Sequence, residues 1–105
     1  MNFRDHTDQH VRLTILRFLA EAPGYVANAS ILKSVCAAFG FVVTRDQIHT
    51  QIGWLDEQGL VTRSDQGELI LATLTERGGD VAAGRARVEG VARPGPRLPG
   101  SGTAG

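Results

Sequence analysis

The chain has 105 residues, 42% hydrophobic and 21% charged, with eleven basic and eleven acidic side chains and one cysteine. That length supports a single domain around one modest core, which excludes a multidomain enzyme, and the lone cysteine excludes a disulfide framework or a Cys-x-x-Cys site. No apolar run could span a bilayer or serve as a signal-peptide core, so the expected compartment is the cytoplasm, without membrane association. The zero net charge hides an asymmetry: residues 1–83 carry seven cations against ten carboxylates, a net of −3, while residues 84–105 carry four arginines against Glu89, a net of +3.

From Asp5 to Ala20, apolar residues Val11, Ile15, Phe18 and Leu19 recur at i, i+4, i+7 and i+8, the spacing of one helical face. Ala22-Pro23-Gly24 ends this first helix, and Tyr25-Val26 reads as a short extended segment. Asn28 is a suitable N-cap for a second helix with Ile31, Leu32, Val35 and Phe39 on its inner face and Gly40 at its end. Thr44 and Gln47 then form a capping box, Val43 and Ile48 a hydrophobic staple, and Ile48, Ile52 and Leu55 an inner stripe, so a third helix is predicted over 45–58. Gly59-Leu60 closes it.

Residues 60–74 read as a β-hairpin: Leu60–Ser64 and Glu68–Leu74 are rich in β-formers, with Asp65-Gln-Gly67 between them. Thr75 can cap a last helix from Glu76 to about Ala86, weakened by Gly78, Gly79 and Gly84, each costing about 1 kcal/mol relative to alanine. Beyond Val88 the run GVARPGPRLPGSGTAG is rich in glycine and proline. This divides the chain into a folded domain over 1–87 and a disordered basic tail over 88–105.

Three helices followed by a two-stranded ribbon is the element order of a winged helix-turn-helix, a mainly α fold with a three-helix core plus a wing. The phrases WLDEQGLV (Trp54–Val61) and LTERG (Leu74–Gly78) resemble the third-helix exit and wing exit of many bacterial winged-helix regulators. Together with RLTILRFLAEAPGY (Arg12–Tyr25), Asn28 and TRDQ (Thr44–Gln47), they make the chain similar to small proteins of Mu-like transposable phages and prophages with an ArsR-like winged helix. The resemblance implies a phage-encoded DNA-binding protein, and it brings no metal site, because metal-binding ArsR sensors use paired cysteines. It also departs from that group at His49, where a basic residue is frequent.

In a helix of this type, the N-terminal part of the third helix enters the major groove. The helical wheel turns Asp46, His49, Thr50, Gly53 and Glu57 outward, with Arg45 and Asp56 at the border. The candidate DNA-binding residues are therefore Thr44, Arg45, His49, Thr50, Gln51, Gly53 and, on the wing, Arg63. Arg45 can meet phosphate or guanine, His49, Thr50 and Gln51 can bond base edges, Gly53 permits close approach, and the helix N-terminus suits a phosphate oxygen. Against this, Arg45 is outnumbered by Asp46, Asp56 and Glu57 for a net of −2, and that acidity favours the alternative of a protein-interaction adaptor in phage development. Trp54 is expected to pack against the wing.

Arg85, Arg87, Arg93 and Arg97 can act as a flexible electrostatic arm or be merely solvated. His6 and His10 have i, i+4 spacing but no third metal ligand, no residues are arranged for catalysis, and no cofactor is expected. The function expected is a non-enzymatic DNA-binding transcriptional regulator. Double-stranded DNA and a second copy of the chain, as a homodimer, are its expected partners, with a phage or host protein under the alternative.

Overall fold

The computed structural model describes residues 3–95. In chain order it contains α1 (Phe3–Glu21), a 3-10 turn (Pro23–Tyr25), β1 (Val26–Asn28), α2 (Ala29–Ala38), α3 (Arg45–Glu57), β2 (Val61–Gln66), β3 (Leu69–Leu74) and α4 (Glu76–Ala82). The three strands form one antiparallel sheet in the order β1-β3-β2, with Ala27 opposite Ala72 and Arg63 also opposite Ala72 on the other edge. The core lies where α1, α2 and α3 meet this sheet: Ile15, Leu16, Leu19, Leu32, Cys36, Ile48, Ile52, Leu55, Leu60 and Ala72 are sealed from solvent.

The third helix begins and ends as its sequence dictates. Thr44 Oγ1 accepts from the Gln47 N–H at 3.1 Å, while Gln47 Oε1 accepts from the Thr44 N–H at 2.8 Å, so two orphan donors of the first turn are satisfied reciprocally. At the other end the Gly59 and Leu60 N–H groups donate to the Asp56 and Leu55 carbonyls. Burying Ile48, Ile52 and Leu55 stabilises the fold by about 5–9 kcal/mol as an upper bound, which pins the rotation of α3 and fixes its outer face.

The hairpin runs two residues further than the sequence predicts. Gln66 pairs with Leu69, so the connection is Gly67-Glu68, with Gly67 at φ +63 in the first position, where a tight hairpin calls for glycine. Thr75 caps α4 as predicted, accepting from the Gly78 N–H at 3.0 Å. The helix ends at Ala82 rather than Ala86.

Two further expectations require correction. On α2 the buried face is Ala29, Leu32 and Cys36, while Ile31 is 45% and Phe39 69% exposed. The expected domain boundary at residue 87 falls inside packed structure. Val88 and Val91 join the core cluster, the Ala92 N–H donates to the Gln9 carbonyl at 3.1 Å, and residues 86–95 form a strap across α1 and α4. Residues 96–105 of the expected tail, with Arg97, lie outside the described residues.

Candidate nucleic-acid interface

The outer face of α3 and the first hairpin strand together form one open, concave surface. His49, Thr50, Gly53, Trp54 and Glu57 line it from the helix, and Arg63 closes one side from β2. Arg63 is held there by its backbone N–H, which donates to Asp56 Oδ1 at 3.3 Å, and its guanidinium lies over Gly53, where an added Cβ would make an ordinary 3.8 Å contact with Nη1. Its charge is engaged within the hairpin, with Nε 2.9 Å from Asp65 Oδ1. The hydrogen bond to Asp65, reinforced by the nearby Asp65 and Asp56 charges, raises the Arg63 pKa, and the same bond lowers that of Asp65.

A second cleft, of about 520 Å³, opens beside the first between α2, the start of α3 and the hairpin tip. Arg45 and His49 line it from α3, Glu68 and Leu69 from the hairpin, and Lys33 from α2. Lys33 is a cation that a search confined to the third helix and the wing misses; its signal is its place on the helix preceding the turn.

Of the sequence-predicted residues, Thr44, Arg45 and Thr50 are exposed, His49, Gly53 and Arg63 are half-buried, and all except Thr44 line one of these two clefts. Thr44 has its hydroxyl committed to the capping box. Gln51 does not belong with them. It is only 6% exposed, and its Oε1 accepts from Arg12 Nε at 2.6 Å, so the expectation that it reads base edges is incorrect. A polar side chain this deep needs a partner, and α1 supplies one.

Arg12 does more than satisfy Gln51. Its Nη1 donates to the Gly90 carbonyl at 2.9 Å, and its guanidinium carbon lies 4.0 Å from the centroid of the Trp54 ring, a stacked cation–π arrangement. Desolvation lowers the Arg12 pKa, opposed by the Asp8 and Asp5 charges. Trp54 therefore packs on Arg12 and the strap, and it also borders the concavity that Arg63 of the hairpin closes. Elsewhere on α1 the His6 and His10 rings lie 4.6 Å apart, and His10 stacks against Phe41 at 6.3 Å.

No family model matches the sequence. The chain is 51% identical over 86 residues to the uncharacterized protein gp26 of Escherichia phage Mu, covering 82% of this chain and 88% of that protein. It is 40% identical over 79 residues to an uncharacterized protein of Haemophilus influenzae, covering 73% of this chain and 76% of that one. Among solved structures, a chain of the hsRosR-S1 complex superposes with a TM-score of 0.59 at 22% identity, over 69% of this chain and 63% of its own length. That likeness concerns the fold alone. Among the described residues no helix is long and apolar enough to cross a membrane.

Proposed function

The chain belongs to the family of the phage Mu protein gp26, and on that premise we propose that it is a phage-encoded, cytoplasmic, non-enzymatic regulator of transcription that binds double-stranded DNA as an ArsR-like winged helix. The observation that carries this reading is the continuous surface in which the outer face of α3 and Arg63 of the hairpin border one concavity. A helix about 10–12 Å across fills a major groove about 12 Å wide, so His49 and Thr50 would face base edges while Arg45 and Lys33, beside the first turn of α3, meet phosphates.

The working form is a homodimer, because one small module supplies little affinity and paired half-sites multiply it. An apolar groove lined by Leu13, Phe18 and the exposed Phe39 is the surface offered to the second copy. Arg17 and Glu21 border this groove one helical turn apart, so a two-fold antiparallel pairing of α1 helices would set each against its opposite in the partner.

One observation favours a second reading. With Arg63 neutralised by Asp65, the charges of the outer α3 face are dominated by Asp46 and Glu57, which suits a basic protein partner in phage development. Gel retardation of phage-genome fragments across a salt series, with sedimentation of the free protein, tests the first reading. Wild-type protein should sediment as a dimer and retard selected fragments, and Arg45→Ala with Thr50→Ala should weaken that binding by about tenfold or more. Folded wild-type protein that retards nothing at low salt overturns it, and retained partner capture by such a protein supports the second.

A further inference from the structure

The strap adds two exposed cations to those that α2 and the start of α3 present. Arg85 is paired with Asp80 at 3.0 Å and Arg63 with Asp65, whereas Arg87 and Arg93 are exposed and form no ion pair with any described residue. These two arginines flank the strap's turn and line the same two small clefts beside it.

The turn is seated on α3. Gly90 has φ +100, and a Cβ added there would come within 2.6 Å of the Trp54 ring, so both the conformation and the contact demand glycine. The Arg12 bond to the Gly90 carbonyl, the buried Val88 and Val91, and the Ala92 bond to Gln9 hold this geometry from the other side.

Successive α-helical residues turn by about 100°. Gln51 and Trp54 therefore lie on one flank of the buried Ile48–Ile52–Leu55 stripe, and Gly53 and Asp56 lie on the other. The hairpin occupies the second flank through Arg63, and the strap occupies the first through Gly90. A helix that fills a major groove has a phosphate backbone along each flank, because its width nearly equals that of the groove.

We propose that the strap is a second DNA-contacting element, on the flank of α3 opposite the hairpin, with Arg87 and Arg93 gripping the phosphates of the groove wall there. This rests on the DNA-binding reading above and deepens it. The grip is independent of base sequence, since guanidinium-to-phosphate contacts position a protein without reading bases. Glu89, exposed at the turn between the two arginines, opposes them and moderates the grip.

Fluorescence anisotropy of a labelled duplex, titrated with the full chain over a range of salt, is the test. Removing two phosphate contacts with Arg87→Ala and Arg93→Ala should lower the slope of log K against log salt by about 1.8. Affinity should fall by the same factor for every duplex, while Glu89→Gln should tighten binding of each. Both arginines are exposed, so an unchanged thermal melt should accompany the loss. A wild-type slope retained by the double variant overturns the strap proposal and leaves the DNA-binding reading standing. Wild-type protein that binds no duplex at low salt overturns both.

Discussion

At Cys36, the side chain's surroundings decide its chemistry. It is fully buried on α2, and desolvation pushes its thiol from the usual 9.0 up to about 11. The folded protein thus holds this proton more tightly than the unfolded chain does. The resulting stabilisation is complete below about pH 9 and is lost as pH rises through about 11, at most about 2–3 kcal/mol for a shift of this size. Urea unfolding of wild type and Cys36→Ala across pH 8–11 should show the difference between them shrinking by that amount; a constant difference would contradict the burial argument. Residue type alone misleads at Gln51, where a glutamine beside the apolar stripe reads as a solvent-facing hydrogen bonder. Its partner is 39 positions away on another helix, and nothing local in the sequence announces it.

Among the elements, α4 shows how a composition argument can invert. Gly78 and Gly79 both weaken a helix intrinsically, yet they stand in different places. A Cβ on Gly78 would collide with the Leu60 carbonyl oxygen and crowd Leu74, whereas one on Gly79 would touch only Leu74 Cδ2 at 3.7 Å, an ordinary contact. Gly78→Ala should therefore destabilise by about 1–3 kcal/mol through overpacking, while Gly79→Ala should stabilise by about 0.5–1 kcal/mol through helix propensity. Equal effects in urea melts would mean that α4 does not approach Leu60 as described. The ends of α3 were legible because the capping box and the closing Gly59-Leu60 are local devices written within a few residues. The inner face of α2 was not. Ala29, Ile31, Leu32, Val35, Cys36 and Phe39 form an apolar arc of about 160°, wider than the face that is buried, so periodicity cannot choose which edge of the arc turns inward until the rest of the fold packs against it.

The molecule as a whole is joined through Arg12, which ties α1 to α3 at Gln51 and to the strap at Gly90. Arg12→Met keeps the apolar stem and removes these bonds, leaving Gln51 buried without its donor. A loss of about 2–4 kcal/mol is expected, together with faster hydrogen exchange at Ala92, and Gln51→Leu in the same chain should recover part of the stability. Unchanged exchange at Ala92 would show that Arg12 does not hold the strap. The glycine and proline content of residues 88–105 concealed the strap, because the two valines that anchor it are too few to form a periodic pattern. The candidate DNA surface was legible as far as α3 and the hairpin, both built from local signals, but its other flank depends on long-range packing. The sheet order carries a last consequence. Because β3 lies between β2 and β1, the ribbon is bonded along its inner edge to the segment that leads directly into α2. Its base, at Leu71–Thr73, cannot swing independently to follow the contour of a duplex without breaking that ladder. Under the proposed function, any mismatch of shape would then be absorbed by the nucleic acid, so the stiffness of a site at positions no side chain reaches would enter into which sites are chosen.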